Sequence, residues 1–213
     1  YEVPQDFTPV IRLFGFMLGL AVRADAPWAD WPAFVAAARA APGTLAFGST
    51  GVHTAPHLVM EQLARREGVS LIHVPYRGEP DSIQALLAGQ IAALAAGPGA
   101  GALVDEGRAR WLNLWTAERH RRFPQVPTLM ELGHPFSATT PIGIVGPAGM
   151  ERDVVMRLHD AFRDATSDSA YQTLLSRLGM HSEYQDPEAY AAYLRQKVPE
   201  ERDFLRTLGA LSG

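Results

Sequence analysis

Residues 45–51 read Leu-Ala-Phe-Gly-Ser-Thr-Gly, and this stretch decides the fold. Its first three residues form a short apolar run that is typical of a buried strand, and Gly48 to Gly51 have the small side chains of a tight turn. A helical pattern follows from Pro56 to Glu67. Because a strand that enters a helix through such a turn is half of a βαβ unit, the stretch predicts an α/β protein.

The same order of strand, turn and helix recurs downstream. Further strands are predicted at Leu71 to Val74, Ile91 to Ala96 and Trp111 to Thr116. A helix is predicted after the first of them, from about Pro80 to Ala88, and another after the second, ending at Gly107. Strands that alternate with helices at this spacing predict a parallel sheet with helices on its faces.

Two extended segments flank this βα block. The apolar run from Phe7 to Val22 predicts one long, bent strand, and Thr139 to Val145 predicts a second strand-like crossing. Such a pair indicates two lobes joined by two hinge strands. The predicted boundaries are 1–15 with 139–213 for the first, discontinuous lobe and 16–138 for the second.

The remaining elements are expected to be helical. Asp30 is the expected N-cap of a helix that begins at Trp31, and a short helix is predicted at Thr128 to Leu132. Everything after Val145 is also expected to be helical, with helices at Asp153 to Ala165, Tyr171 to Leu178 and Pro187 to Leu205.

The composition excludes several classes of function. The 213 residues include no cysteine, which removes thiol catalysis, thiolate metal sites and disulfides. A net charge of -4 gives no basic surface for nucleic acid or for an anionic membrane. No apolar stretch approaches the ~20 residues of a membrane-spanning helix.

The turn at Gly48 to Gly51 is a candidate anion site. It lies between a strand and a helix, where free backbone N–H groups and the positive helix end favour a carboxylate or phosphate. Ser49, Thr50 and Thr54 add hydroxyl groups. The alternative is a tight βα turn whose glycines serve packing alone. Neither the Walker A lysine nor the dinucleotide spacing of glycines is present, which disfavours nucleotides.

Serine hydrolysis and metal binding are weaker interpretations of the same region. Ser49 with His53 or His57 resembles a nucleophile and its base, but the Gly-x-Ser-x-Gly spacing is absent and no acid is placed to orient either histidine. The two histidines and His73 lack the close spacing of metal ligands. His73 is expected to be an ordinary strand histidine with satisfied hydrogen bonds.

Two further strand ends add candidate contacts. Tyr76 and Arg77 follow a strand at the edge where ligands of open α/β sheets collect. Tyr76 can stack and donate a hydrogen bond, whereas Arg77 is expected to be solvated. Gly97 to Gly101 contribute backbone and space rather than side-chain chemistry.

Five motifs, taken together and in order, carry a family resemblance. They are Phe-Gly-Ser-Thr-Gly-Val-His-Thr-Ala-Pro-His-Leu (47–58), His-Val-Pro-Tyr-Arg-Gly (73–78), Leu-Leu-Ala-Gly-Gln-Ile (86–91), Phe-Pro-Gln-Val-Pro-Thr-Leu-Met-Glu-Leu-Gly (123–133) and Gly-Pro-Ala-Gly (146–149). The chain closely resembles the Bug-type solute receptors of tripartite tricarboxylate transporters, over nearly its whole length.

The resemblance implies a type II periplasmic-binding-protein fold that captures a small aliphatic or aromatic carboxylate between two lobes, without a cofactor or a metal. It also implies a periplasmic location, no enzymatic activity and a membrane permease as partner. A ligand-sensing regulatory domain of the same fold is the alternative, and a serine hydrolase is a weaker one. The implied ligand contacts are Ser49, Thr50, Gly51, His53, Thr54, Tyr76, Ala96 and Gly97.

The chain also departs from the family. After the third strand, where relatives often carry an aspartate and an asparagine, the chain reads Ala95-Ala96-Gly97-Pro98, which favours a plain or aromatic carboxylate over an amino acid. His53 stands where a glycine is common, and Thr140-Pro141-Ile142 replace a tryptophan-tyrosine type of hinge. The family's first βα units have no counterpart, so the first lobe is expected to lack its N-terminal part. If this is the natural chain, the lobe must be completed by a partner or by exchange with another copy; a sequence that is one piece of a longer protein is the simpler explanation.

Overall fold

A computed structural model of the chain describes residues 2–178 and 180–207. The chain folds into two compact units, Tyr1–Phe16 with Pro141–Gly213 and Met17–Thr140, and each is described here by itself. That these units are the two lobes of a ligand trap stays a prediction. Among the described residues, no helix combines the length and the apolar character needed to cross a bilayer.

The strands and helices alternate through most of the chain. In order they are β1 (Phe7–Phe16), β2 (Gly19–Arg23), α1 (Trp31–Ala40), β3 (Ala46–Ser49), α2 (Ala55–Glu67), β4 (Ile72–Pro75), α3 (Glu79–Leu87), β5 (Ala93–Ala96), α4 (Pro98–Asp105), β6 (Ala109–Leu114), β7 (Thr140–Pro147), α5 (Arg152–Thr166), α6 (Ser169–Arg177), β8 (Met180–Gln185) and α7 (Pro187–Thr207). The predicted α/β class is therefore confirmed.

The Met17–Thr140 unit is built on a five-stranded sheet in the order β4-β3-β5-β2-β6. As predicted, β3 runs parallel to β4 and to β5. The prediction of a wholly parallel sheet is wrong at β2, which is antiparallel to both β5 and β6. The chain enters β2 directly from β1, so no crossover helix fixes its direction.

The prediction of one long strand from Phe7 to Val22 is also wrong. The apolar run is split at Met17 and Leu18, and its two halves join different sheets. Close backbone approach marks the second half, because a Cβ atom on Gly19 would lie 2.5 Å from the carbonyl oxygen of Asn113. Since both halves are apolar and extended, the hydrophobic pattern does not reveal where one strand ends.

Side chains from alternate strand positions pack into two separate clusters in this unit. Leu20 and Ala95 belong to one cluster, with Trp31 and Phe34 of α1. Their strand neighbours Ala21 and Leu94 belong to the other, with α3 and α4 residues. Because successive strand side chains point to opposite faces, both faces of the sheet are covered by helices, as the sequence predicts.

The other unit contains a three-stranded sheet in the order β7-β1-β8. Strand β8 contradicts the prediction that everything after Val145 is helical. It pairs antiparallel with β1, and Glu183 forms an ion pair with the buried guanidinium of Arg12. The Arg12 guanidinium also lies 4.2 Å from the centre of the Tyr193 ring. The short, polar sequence of β8 carries little strand signal of its own, and its partner is distant in sequence.

The predicted helix at Thr128 to Leu132 is a hydrogen-bonded turn instead. The backbone N–H of Thr128 donates to the Glu131 carboxylate, and the backbone N–H of Glu131 donates to the Thr128 hydroxyl. This exchange normally opens a helix. Here Gly133 has a left-handed backbone (φ +89°) and Pro135 follows soon after, so the turn is not propagated.

Capping of α1 offers a direct test of local stability. The Asp30 carboxylate accepts a hydrogen bond from the backbone N–H of Ala33 (2.9 Å), as predicted. We expect Asp30→Ala to lower the free energy of unfolding by about 1 kcal/mol in urea denaturation. Asp30→Asn keeps an acceptor at the cap and should stay close to wild type. Equal losses in the two variants would contradict the capping role.

Candidate functional site

Three loops meet at one edge of the five-stranded sheet. They follow β3, β4 and β5, which run parallel and lie side by side. The backbone N–H of Tyr76 donates to the carbonyl of Ser49 (2.9 Å), which joins the first loop to the second. The backbone N–H of Gly97 donates to the Glu79 carboxylate (3.0 Å), which joins the third loop to the start of α3. The predicted contact residues are thus brought together within one unit.

The first helix start at this edge is open. Thr54 is the N-cap residue of α2, but its hydroxyl makes no hydrogen bond to the first turn of the helix. It donates instead to the carbonyl of Gly51 (2.8 Å). The N–H groups of the first helical turn therefore have no side-chain cap, and the positive end of the helix faces the loop.

Two hydroxyl groups of the first and second loops are also available. The hydroxyls of Thr50 and Tyr76 have no hydrogen-bond partner in the part of the chain that the structure describes, and both residues are only partly buried. Gly48 makes room for the tyrosine, because a Cβ atom there would lie 3.1 Å from its ring and 2.5 Å from Ile91. Free hydroxyls in loops at the same edge of the sheet as an uncapped helix start add donors that suit an anion.

The Ser49 hydroxyl is occupied within its own loop. The side chain is fully buried, and its Oγ lies 3.0 Å from the carbonyl oxygen of Gly51, 3.3 Å from the Gly51 nitrogen and 2.7 Å from Nε2 of His73. One arrangement satisfies all three contacts: the hydroxyl donates to the carbonyl and accepts from the two N–H groups. Ser49 thereby fixes the shape of the loop. Its predicted contact with ligand stays a prediction.

Histidines are stacked beneath this loop. The His73 ring lies between Phe47 and His57, with ring centres 5.0 Å and 3.9 Å away. Burial, and secondarily the neighbouring His57, lowers the pKa of His73 from 6.5 to about 4. Burial also lowers the pKa of His57, against the opposing effect of the Glu61 carboxylate 3.7 Å away. The His73 ring is therefore neutral at pH 7.

His53 occupies a special backbone position. Its φ is +60°, in the left-handed region that a glycine adopts without strain. Its side chain is exposed, and its backbone N–H donates to Nδ1 of His57 (3.0 Å). This geometry gives a physical reason for a glycine at the corresponding position of relatives. A direct contact between His53 and ligand stays a prediction.

Two backbone donors of the third loop are already used. Ala96 and Gly97 are both buried, so they contribute backbone rather than side chains. The backbone N–H groups of Gly97 and Ala100, at the start of α4, already donate to Oε1 of Glu79 at 3.0 and 3.3 Å. Arg77, expected to be solvated, is exposed. Of the three helices that start at this edge, α2 and α3 have no side-chain cap, and the start of α4 is filled by a carboxylate.

The geometry does not support the hydrolase and metal interpretations. Ser49 pairs with His73 and not with His53 or His57, and the carboxylate of Glu61 lies beside His57. A serine whose hydroxyl is buried and bound to its own loop is not placed to attack a substrate. In the described residues, no three histidine, aspartate or glutamate side chains are grouped to hold a metal ion.

The expectation that His73 is a strand histidine with satisfied hydrogen bonds is confirmed, since it lies in β4 and its ring bonds to the Ser49 hydroxyl. Sequence reasoning missed one residue of this region. Glu79 carried no expectation, although an acidic residue directly after Gly78 at a helix start is a recognisable signal for binding N–H groups. That signal does not reveal that the N–H groups belong to α4.

The low pKa of His73 predicts acid lability. Between pH 6.5 and about 4, the unfolded chain takes up a proton at this histidine that the folded chain does not. Stability should therefore be complete above pH 6.5 and decrease as the pH falls through this window. We expect His73→Gln, which keeps an N–H donor near Ser49, to weaken this decrease. Melting temperatures measured from pH 7.5 to 4.5 test this, and an unchanged pH dependence in the variant would contradict it.

Comparisons with known proteins agree with this geometry. The family model for the tripartite tricarboxylate transporter family receptor matches residues 1–210. The UPF0065 protein in the gbd 5' region of Cupriavidus necator is 38% identical over 209 residues, which are 98% of this chain and 64% of that protein. The chain thus spans slightly less than two thirds of that relative's length.

Solved structures share the fold. A TctC solute binding protein from Polaromonas has a TM-score of 0.82 and 27% identity, with 95% of this chain and 70% of that chain covered. The structure of R. palustris Rpa4515 with adipate has a TM-score of 0.86 and covers 98% of this chain and 71% of that chain; at 23% identity it shows the fold alone. These likenesses confirm the predicted periplasmic-binding-protein fold.

The evidence from the sequence, the fold and the family model therefore converges. The match extends from residue 1 to residue 210 and includes all three loops of the candidate site. The chain belongs to the tripartite tricarboxylate transporter receptor family, which is a family of solute-binding receptors and not of enzymes.

Proposed function

We propose that this chain is the solute-binding part of an extracytoplasmic receptor that captures a small carboxylate in the periplasm. The receptor delivers this ligand to the permease subunits of a tripartite tricarboxylate-type transporter. The ligand carboxylate is held at the loop of Ser49 to Thr54 and by Tyr76.

The open start of α2 is the observation that carries this proposal. Its first-turn N–H groups lack a side-chain cap, because the Thr54 hydroxyl donates to Gly51 instead. The free hydroxyls of Thr50 and Tyr76 belong to two loops of the same unit, which are joined by the backbone bond from Tyr76 to Ser49. Hydrogen bonds from such donors to a charged group are stronger than those to a neutral one, which favours a carboxylate over a neutral sugar.

Ser49, Gly51 and His53 have supporting roles in this proposal. Gly51 has a φ of +139°, which L-residues rarely adopt, and this backbone places its carbonyl for Thr54. Ser49 and His73 lock the turn from beneath, and His53 links it to α2 through His57. The loop is therefore preorganised, so little conformational entropy is lost when it binds an anion.

The fold also agrees with a carboxylate ligand. Rpa4515 of R. palustris, which shares this fold, was solved with adipate. That likeness establishes only that the fold accommodates a carboxylate, since the identity is 23%. The residues of the present chain support the same chemistry independently.

Tyr76→Phe tests the proposed grip. A panel of aliphatic mono- and dicarboxylates and of aromatic carboxylates should raise the melting temperature of the wild-type chain, because a ligand that binds only the folded state stabilises it. For each carboxylate that binds, we expect Tyr76→Phe to raise the dissociation constant about tenfold, because one hydrogen bond to a charged group is lost. Calorimetry measures this constant.

Tyr171→Phe is the matched control, because it removes a phenol hydroxyl in the other unit. It should leave every dissociation constant unchanged. If no carboxylate of the panel stabilises the folded wild-type chain, the proposed function is wrong. If carboxylates bind and Tyr76→Phe has no effect, the ligand class stands and the assignment of the grip to Tyr76 is wrong.

A further inference from the structure

The third loop differs from the first in one respect that bears on ligand choice. Its helix start is occupied by a carboxylate of the chain itself. Oε1 of Glu79 accepts hydrogen bonds from the backbone N–H groups of Gly97 (3.0 Å) and Ala100 (3.3 Å). An anion from solution would need the same N–H groups, so the carboxylate already present excludes it.

The surroundings of Glu79 are shaped for this carboxylate. A Cβ atom on Gly99 would lie 2.9 Å from its carboxylate carbon and 2.9 Å from Oε2, so the glycine makes space for the group. The backbone of Glu79 is fixed as well, because the buried hydroxyl of Ser82 donates to the Glu79 carbonyl (2.9 Å). The carboxylate therefore lies in a fitted position and not at random on the surface.

The negative charge of Glu79 is not neutralised by a side chain. Across the described ranges, no lysine, arginine or histidine forms an ion pair with it. Only the partial positive charge of the α4 start faces it. The Glu79 carboxylate therefore has no cationic side-chain partner at the edge of the sheet where the three loops meet.

The position of Glu79 relates this charge to the candidate site. It comes three residues after Tyr76 in the second loop and reaches Gly97 in the third. The first loop follows β3, which lies between β4 and β5. Glu79 therefore spans the ends of the two strands that flank β3, the strand that precedes the first loop.

We infer that Glu79 is a specificity-determining residue that restricts this unit to one ligand carboxylate. This inference rests on the proposed function. The carboxylate binds at the open start of α2, and the part of the ligand that faces the third loop is uncharged. The ligand of this unit is thus a monocarboxylate whose other end is apolar or donates hydrogen bonds. A second carboxylate there meets the same charge and finds its donors taken.

The test compares matched probe pairs in three folded proteins. The pairs are pentanoate with glutarate and benzoate with terephthalate, and dissociation constants are measured by calorimetry at low salt. Glu79→Gln keeps an oxygen for the N–H groups of Gly97 and Ala100 but removes the charge. Asp81→Asn removes one exposed charge from the same first turn of α3 and is the matched control.

In wild type we expect the monocarboxylate of each pair to bind more tightly. In Glu79→Gln the preference should shift towards the dicarboxylate on the order of tenfold, as removal of a nearby like charge predicts. Asp81→Asn should keep the wild-type preference. A cap with a purely structural role would change the melting temperature but not this ratio.

Three outcomes would overturn the inference. If the probes bind and Glu79→Gln keeps the wild-type ratio, Glu79 is only a helix cap and the proposed function survives. If Asp81→Asn shifts the ratio equally, the effect comes from net charge and not from the position of Glu79. If no probe binds to any of the three folded proteins, the proposed function fails and the inference fails with it.

Discussion

Because β3 pairs in parallel with β4 on one side and with β5 on the other, three strand ends meet at one edge of the sheet. The backbone bond between Tyr76 and Ser49 follows directly from this pairing, and so does the reach of Glu79 to the third loop. Small residues maintain the pairing, since a side chain on Gly48 would collide with Ile91. The pairing of β3 with β4 and with β5 therefore positions every group proposed to contact the ligand.

The same edge shows two uses of a helix start. At α2 the N-cap residue turns away and leaves the N–H groups for a ligand, whereas at α4 a glutamate from the neighbouring loop takes them. Both arrangements satisfy the requirement that buried backbone donors find acceptors, in one case from solution and in the other from the chain. The two helix starts therefore differ in their acceptor: a ligand at α2 and the Glu79 carboxylate at α4. The glycine-rich sequence of the loops does not reveal this difference.

Local signals explain which parts of the fold and site were predictable. The turn after β3 and the Asp30 cap are encoded within a few residues, so the sequence predicted both. Strand β8 was missed because it is stabilised by β1, whose residue Arg12 pairs with Gln185 far along the chain. The role of Glu79 was missed for the same reason, since it acts across a contact between separate loops, whereas His73 was correctly predicted as a hydrogen-bonded strand histidine but without its partner Ser49. Hydrophobic periodicity and helix caps reveal interactions between residues that are close in sequence. Strand β8 and Glu79 depend instead on contacts between parts of the chain that are distant in sequence.

The discontinuity of one unit has a consequence for biogenesis. Residues 17–140 are contiguous, so the ribosome delivers all five strands of that sheet before the last third of the chain exists. Strand β1 precedes these residues in the sequence, whereas its partners β7 and β8 follow them. The apolar residues Val10 and Ile11, buried in the final structure, therefore cannot pack with β7 and β8 until about 120 intervening residues have been synthesised. The three-stranded sheet is thus expected to be completed late, after the five-stranded sheet has already formed.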